Sequence, residues 1–267
     1  MNKTIAIMGC GWLGFPLGKS LLEEGYKVHG STTSKNKLAK LEKAGIVPFL
    51  ISLSENKIKG PISEFLTKVD ILVINVPPKL RGANTESYIK KMELVAKAVS
   101  NSQVSKILFV SSTSVYGSVS GRVTEEDIPQ PKTESGIQLL ASENLFSSTV
   151  GIATTIVRFG GLIGADRHPI NMLSRRKDLT NGNDPINLIH LEDCINIISS
   201  ILKNNWWNEL FNAVYPYHPT KKEYYTAEAQ KRSLAKPTYA NNKQATDKII
   251  DSRRLIHVKK YLFKTPI

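Results

Sequence analysis

Short apolar segments alternate with amphipathic, helix-like segments from the N-terminus to about residue 160. Two of the apolar segments, 71–74 and 107–110, contain no polar position, which is typical of central strands buried on both faces of a parallel sheet. This alternation predicts an α/β fold with a doubly wound parallel sheet flanked by helices. The predicted strands are Thr4–Met8, 27–31, 47–51, 71–75, 107–111 and 154–158, and the predicted helices are 13–24, 35–43, 87–99 and 138–147.

The regular alternation ends near residue 159. Three glycines between positions 160 and 164 mark a turn-rich segment, after which 186–191 is predicted as a strand and 193–202 as a helix. We therefore divide the chain into a first domain of residues 1–158 and a smaller C-terminal α/β lobe of residues 159–267 that binds substrate. Residues 186–202 are expected to pack back on the first domain.

The most informative motif is a G-x-G-x-x-G turn at residues 9–14, which follows the first predicted strand and begins the first predicted helix. Gly9 permits the tight turn, Gly11 lets the backbone approach a pyrophosphate, and Gly14 lets the helix pack on the strand. Free N–H groups at the helix N-terminus attract phosphate oxygens. The turn predicts a Rossmann-type dinucleotide-binding domain whose cofactor contacts include Gly9, Gly11, Trp12, Leu13 and Gly14.

The end of the second predicted strand bears on which dinucleotide is bound. Rossmann domains that bind NAD place an acidic residue there to accept the ribose 2′-OH. This chain instead has Thr32, Thr33, Ser34 and Lys35. Hydroxyl groups and an ammonium suit the 2′-phosphate of NADP better than a carboxylate would, although a solvated Thr/Ser turn explains these residues almost as well. The sequence therefore favours NADP and leaves NAD open.

The charge of the chain is unevenly distributed. The 267 residues carry a formal net charge of +13, and residues 201–267 alone have 13 basic and five acidic side chains, a net +8. A basic solvated surface is the first interpretation of this charge, and a site for an anionic small-molecule substrate is the alternative. No nucleic-acid-binding module is recognisable, so nucleic acid is not an expected partner.

Several classes of protein are disfavoured by composition. No apolar run approaches the roughly 20 residues of a membrane-spanning helix. The two cysteines, Cys10 and Cys194, offer neither a disulfide framework nor a cysteine-based zinc site, and no other metal site is predicted. We find no secretory signal and expect a cytoplasmic protein.

Four segments spread over the chain carry a family resemblance: 109–117 (FVSSTSVYG), 124–129 (TEEDIP), 157–159 with Gly164, and 187–193 (NLIHLED). Together they resemble the extended short-chain dehydrogenase/reductase family, the NAD(P)-dependent epimerases and dehydratases of nucleotide sugars. The resemblance implies an NAD(P) cofactor and a nucleotide-linked or phosphorylated substrate. It also implies a homodimer formed through helices such as 87–99 and 138–147.

The resemblance also implies roles for residues at the carboxyl ends of predicted strands. The cofactor is expected to contact Asn75, Val76, Pro77 and Ser111, and the substrate to contact Ser112, Thr113 and Arg158. Ser112 matches the active-site Ser/Thr of the family, with local backbone bonding as its alternative role. For Arg158, the alternative to substrate binding is a structural ion pair. Tyr116 is either a substitute acid or a buried structural phenol.

One departure from the family pattern concerns catalysis. Active members carry a Tyr-x-x-x-Lys pair on the helix after the acidic segment, eight and four residues before a glutamate that matches Glu143. Here Ser135 and Leu139 occupy those positions, and no Tyr-x-x-x-Lys spacing occurs between residues 125 and 159. Because the pair transfers a proton to or from the substrate oxygen, its loss indicates an atypical branch. An enzyme would then use another group, from among Tyr116, Tyr88, Ser112, Ser135 or Gln138 with water, whereas an inactive dinucleotide sensor would need none.

Overall fold

The computed structural model describes residues 3–78, 80, 86–240 and 247–267. Their strands are β1 (Thr4–Met8), β2 (Lys27–Thr32), β3 (Val47–Leu50), β4 (Ser52–Leu53), β5 (Ile58–Lys59), β6 (Ile71–Ile74), β7 (Lys106–Ser112), β8 (Arg122–Val123), β9 (Ala153–Phe159), β10 (Gly161–Ile163), β11 (Leu188–His190), β12 (Leu210–Ala213) and β13 (Ile249–Ile250). Their helices are α1 (Gly14–Glu23), α2 (Leu38–Lys43), α3 (Ile62–Leu66), α4 (Tyr88–Ser100), α5 (Glu134–Ser147), α6 (Ile170–Leu173), α7 (Leu191–Asn204) and α8 (Lys221–Lys231), with short helical turns at Lys35–Lys37, Thr113–Tyr116 and Arg254–Val258.

Seven parallel strands form the main sheet in the order β12-β9-β7-β6-β1-β2-β3. The chain runs outward from β1 through β2 and β3, then returns to β6 and continues through β7, β9 and β12. This reversal between β1 and β6 is the topological switch point, and ligands of such sheets bind outside the carboxyl ends of the strands there. The predicted doubly wound α/β fold is confirmed.

The two faces of the sheet carry separate hydrophobic cores. In β1, Ile5 and Ile7 join the core beneath α1 and α7, whereas Ala6 and Met8 join the core beneath α3, α4 and α5. All five residues of β1 are buried, because alternate side chains of a central strand point to opposite covered faces. None of the helices in the described part of the chain is long and apolar enough to cross a bilayer.

Two elements beyond residue 159 belong to the main sheet layer. Strand β12 pairs in parallel with β9, and the apolar face of α7 packs against α1 through Leu17, Leu21, Ile197 and Ile198. The sequence pattern does not predict β12, because this strand has four residues and its partner lies more than 50 residues earlier in the chain. A division at residue 158 therefore assigns β12 to the smaller lobe, although it completes the large sheet.

The smaller lobe is built from the remaining C-terminal elements. Helices α6 and α8 and the β10–β11 pair enclose a third apolar cluster that contains Ile163, Ile170 and Tyr225. Strand β13 pairs with β8, which lies between β7 and α5 in the chain. The lobe is thereby attached at the carboxyl edge of the main sheet, beside the switch point.

Candidate functional site

The glycine turn that connects β1 to α1 leaves no room for a side chain at Gly9 or at Gly14. Gly9 has φ +103°, and a Cβ there would lie 2.5 Å from the Asn75 carbonyl oxygen. A Cβ on Gly14 would lie 2.3 Å from the Gly9 carbonyl oxygen. Both positions require glycine because the backbone itself fills the space that a side chain needs.

Gly11 lies in a different environment. Apart from the chain neighbours Cys10 and Trp12, no heavy atom of the described residues lies within 4 Å of a Cβ built at this position, and its φ is not in the left-handed region. No side chain caps the start of α1, which leaves the N–H groups of Trp12, Leu13 and Gly14 to an outside partner, whereas those of Gly11 and Phe15 donate to the carbonyls of Gly9 and Gly11. An open space bordered by unpaired amides fits a phosphate group.

Residues at the ends of β2 and β6 hold the turn in place. The Ser31 hydroxyl accepts a hydrogen bond from the Gly9 N–H at 3.0 Å, and the Ser31 carbonyl accepts one from the Cys10 N–H at 2.8 Å. Asn75 Nδ2 donates to the Gly9 carbonyl at 3.0 Å. Sequence reasoning placed Asn75 at the cofactor but did not identify Ser31, since the pairing of β1 with β2 is needed to bring it there.

The Trp12 indole is bonded to the smaller lobe. Its Nε1 donates to Asp166 Oδ1 at 2.8 Å, and a Cβ on Gly164 would lie 2.8 Å from the indole Cζ2. The indole therefore contacts the turn at residues 164–167 of the smaller lobe.

The end of β2 presents hydroxyl groups and a lysine. Thr32 is buried and its Oγ1 accepts a hydrogen bond from the Ser34 N–H at 3.2 Å. Thr33 and Lys35 are exposed, and Lys35 begins the helical turn Lys35–Lys37. The side chain of Lys35 is thus able to reach a group bound beyond the carboxyl end of β2.

A buried polar network links side chains at the ends of β7 and β9 to a glutamate of α5. Glu143 of α5 accepts a hydrogen bond from the Ser111 hydroxyl and two-point contacts from Arg158, with Nη2–Oε2 at 2.6 Å. The Arg158 side chain is 4% exposed and that of Glu143 is 2% exposed. A buried carboxylate needs such a partner, so Arg158 serves the ion pair and is not free to contact a substrate. The Ser111 side chain is likewise directed into the protein and not toward a cofactor.

Tyr116 also has a structural role. It is fully buried, its hydroxyl donates to Asn212 Oδ1 at 2.9 Å, and its ring lies 4.8 Å from the Arg158 guanidinium carbon. Burial raises its pKa. The alternative of a structural phenol therefore describes Tyr116, and a role as substitute acid is not supported.

Of the other candidate proton donors, Tyr88 and Gln138 are engaged in structural hydrogen bonds, whereas Ser135 and Ser112 are partly accessible. The Tyr88 hydroxyl is buried and donates to the Val76 carbonyl at 2.8 Å, and Gln138 Oε1 accepts from the N–H groups of Tyr88 and Ile89. Ser135 is half-buried in the first turn of α5. Ser112 is half-buried and its hydroxyl accepts a hydrogen bond from the Ser114 N–H at 3.2 Å, which leaves its own proton available to donate.

Leu139, at the position matched to the family lysine, is 5% exposed and belongs to the core beneath α4 and α5. An apolar side chain in that core cannot hold a ribose or lower the pKa of a neighbouring acid. At the two positions of α5 matched to the family proton relay, this chain therefore offers one hydroxyl, that of Ser135, and no charge.

A cleft of about 350 Å³ lies between the turn after β7 and the smaller lobe. Thr113 lines one side, and Lys221, Tyr225 and Lys248 line the other. Lys248 Nζ donates to the Gly117 carbonyl at 2.7 Å, and burial together with the nearby Lys221 lowers the pKa of Lys248.

Two cations and one anion thus meet in this cleft. Lys221 pairs with Asp184 at 3.0 Å, whereas Lys248 has no carboxylate within 4.0 Å among the described residues. Tyr225 remains protonated at neutral pH, because burial raises its pKa to about 12. Sequence reasoning found the positive charge of this lobe but not these three residues, since α8 and β13 converge on the cleft only in the folded chain.

Comparison with known proteins agrees with the fold and the turn. Residues 4–127 match the NAD-binding domain of 6-phosphogluconate dehydrogenase. The UDP-glucuronic acid 4-epimerase of Bacillus cereus, solved in complex with NAD, superposes with a TM-score of 0.81 at 18% identity, over 98% of this chain and 92% of that one. Fold and glycine turn together define an NAD(P)-binding Rossmann protein with the architecture of the extended short-chain dehydrogenase/reductases, which confirms the resemblance noted in the sequence.

Two curated proteins are similar along much of the chain. YeeZ of Escherichia coli K12 is 32% identical over 267 residues, which cover 99% of this chain and 97% of YeeZ. YtcB of Bacillus subtilis, named an uncharacterized UDP-glucose epimerase, is 24% identical over 75% of this chain and 72% of its own. The chain belongs to the same family as YeeZ.

Proposed function

We propose that this protein is an NAD(P)-dependent enzyme of the oxidoreductase or epimerase type, which acts on an anionic, nucleotide-linked or phosphorylated substrate with a non-standard catalytic set. The observation that carries the proposal is the open space at Gly11, bordered by the uncapped start of α1. A dinucleotide held there would supply hydride transfer at its nicotinamide.

The backbone of the glycine turn would hold the diphosphate. We assign the remaining cofactor contacts to the ends of β2 and β6, at Thr32, Thr33, Ser34, Lys35, Asn75, Val76 and Pro77. These groups lie at the carboxyl edge on both sides of the switch point, as a dinucleotide spanning it requires.

NADP is the proposed form of the cofactor. The exposed Lys35 ammonium and the hydroxyl of Thr33 would meet a 2′-phosphate with donors, and no carboxylate occurs between residues 27 and 37 to accept a ribose 2′-OH. Sequence similarity to a protein solved with NAD does not decide the question, because that structure shares only 18% identity.

The substrate is assigned to the cleft between the turn after β7 and the smaller lobe. Lys248 supplies a positive charge with no carboxylate partner among the described residues, and Tyr225 supplies a neutral hydroxyl donor. Thr113 lines the same cleft, and the neighbouring Ser112 is proposed to donate a hydrogen bond to the reacting oxygen. Burial of an anion beside a half-buried ammonium favours phosphate or carboxylate groups.

A catalytically inactive dinucleotide-binding sensor is the second candidate. The observation in its favour is that Leu139 is buried in the core and that Tyr88, Tyr116 and Gln138 are all engaged in structural hydrogen bonds. A sensor needs the cofactor turn but none of these groups as acids.

The two functions are separated by incubating the protein and bound NADP or NAD with UDP-glucose, UDP-glucuronic acid and hexose phosphates. We expect one of these compounds to change the absorbance of the nicotinamide or to be converted to an epimer. The Lys248→Gln variant should then raise KM about tenfold with little change in kcat. If cofactor binds but every compound leaves both cofactor and substrate unchanged, the sensor is correct.

A further inference from the structure

A tight turn of the smaller lobe reaches the side chain of Trp12. Gly164 and Arg167 pair through two backbone hydrogen bonds, at 2.8 and 3.2 Å, so that residues 165 and 166 form the tip. Asp166 accepts the indole N–H at 2.8 Å, and the Arg167 guanidinium carbon lies 5.0 Å from the centre of the indole ring. The indole is thus held between Gly164, Asp166 and Arg167.

Among the described arginines of this lobe, Arg167 is the one that lies over an aromatic ring. The residue is exposed, and none of the ion pairs of the described residues includes it, whereas Arg232 and Arg253 pair with glutamates. A guanidinium stacked on an aromatic face keeps its N–H groups free in the plane of the stack. The nearest carboxylate along the chain, that of Asp166, is already bonded to the indole N–H.

We propose that Arg167 binds the diphosphate of the dinucleotide, as a cation supplied by the smaller lobe to complement the amide groups of the glycine turn. The proposal rests on the proposed cofactor function. Trp12 contributes its backbone to the turn and its side chain to Arg167, so one residue links the guanidinium to the place where the diphosphate would lie.

The position of Arg167 in the fold favours the diphosphate over the 2′-phosphate. Arg167 follows β9 and β10, on the side of β1 where β6, β7 and β9 lie. The proposed 2′-phosphate group, Lys35, follows β2 on the other side of β1. A contact from Arg167 should therefore be made to the part of the cofactor that NAD and NADP share.

The test is isothermal calorimetry of the full chain with NADH and with NADPH, for the wild type, Arg167→Gln and Arg167→Lys. Arg175→Gln, at another exposed arginine of the smaller lobe, is the matched control. Loss of a charge-assisted hydrogen bond should weaken both cofactors about tenfold or more in Arg167→Gln. Arg167→Lys should recover part of the loss, Arg175→Gln should bind as the wild type does, and the melting temperatures of all variants should agree.

Each other result is informative. If the wild type binds and Arg167→Gln binds equally well, Arg167 has no such role. Equal weakening of cofactor binding in Arg175→Gln would show a general charge effect. A loss of affinity confined to NADPH would place the guanidinium at the 2′-phosphate. Either result overturns the proposal. If the wild type binds neither cofactor, the proposed function itself is wrong.

Discussion

At the scale of single residues, the three glycines of the first turn are required for different reasons. Gly9 and Gly14 are fixed by the protein, because a Cβ at either position would overlap backbone oxygen. A Cβ at Gly11 would meet no described residue other than its chain neighbours within 4 Å, so packing against the rest of the fold does not explain why glycine occurs there. A ligand that approaches the backbone closely does explain it.

This difference predicts opposite behaviour of two alanine variants. Gly11→Ala should keep its melting temperature within about 2 °C of the wild type, since a methyl group meets open space and φ is ordinary. The same variant should lose NAD(P) affinity by about tenfold or more, because the methyl group lies where the diphosphate would sit. Gly14→Ala should instead lower the melting temperature. Calorimetric titration and thermal unfolding measure both properties, and a Gly11→Ala protein that binds cofactor normally would refute the assignment.

Lys35 allows a test of cofactor choice. In Lys35→Glu, the carboxylate would repel a 2′-phosphate and accept a ribose 2′-OH, so NADPH should bind about tenfold more weakly while NADH is unchanged or improved. Lys37→Glu, two residues further along the same exposed turn, is the control for overall charge. Equal loss of NADH and NADPH would show that Lys35 does not distinguish the two cofactors.

At the scale of elements, α8 is fixed to the segment before α6 through a buried histidine. His168 Nδ1 accepts the Ile170 N–H at 3.2 Å, and its Nε2 lies 3.0 Å from the Tyr224 hydroxyl and 3.7 Å from Glu228. Burial, with a further contribution from Arg232, lowers the pKa of His168 to about 4. The folded protein therefore holds this imidazole neutral at a pH where the unfolded chain protonates it.

The free energy of unfolding should accordingly decrease as the pH is lowered from 6.5 to about 4. Between the ordinary pKa of 6.5 and the lowered value of about 4, the unfolded chain binds more protons than the folded protein, so unfolding becomes easier as pH falls. Urea denaturation at a series of pH values should show a decline of up to about 1.4 kcal/mol per pH unit from this group. His168→Asn, which keeps an acceptor for Ile170, should show a shallower decline, and identical slopes would contradict the assignment.

The elements predicted from sequence are those whose pattern is local. The buried strands β1, β6 and β7 were predicted because their runs are wholly apolar, and α1 because the glycine turn precedes it. Helix α5 begins at Glu134, four residues before the predicted start, because Thr133 caps it. Strand β12 and the cleft formed by Thr113, Lys221 and Lys248 were not predicted, since they depend on contacts between distant segments.

At the scale of the whole molecule, the carboxyl edge of the sheet is where both lobes meet. The glycine turn, the ends of β2 and β6, and the cleft beside Thr113 all lie on that edge, and the turn at residues 164–167 joins the smaller lobe to Trp12. Cofactor and substrate would thus lie side by side between the lobes, as hydride transfer requires.

The homodimer remains a prediction at this scale. Helices α4 and α5 lie side by side on one face of the sheet, and Ile137 of α5 is 46% exposed, as expected for a residue that a second copy covers. Light scattering should give twice the chain mass of 29.6 kDa for the wild type. Ile137→Glu should give a monomer, whereas Ile128→Glu, at another exposed isoleucine, should not. A wild type that is monomeric at every concentration would contradict the prediction.

The central claim is that a dinucleotide diphosphate lies against the backbone of residues 11–13, and a crystal structure of the chain with NADPH tests it most directly. The account predicts diphosphate oxygens within hydrogen-bond distance of the Trp12 and Leu13 N–H groups, with the Trp12 indole still bonded to Asp166. A diphosphate bound elsewhere, or an indole that occupies the space beside Gly11, would contradict it.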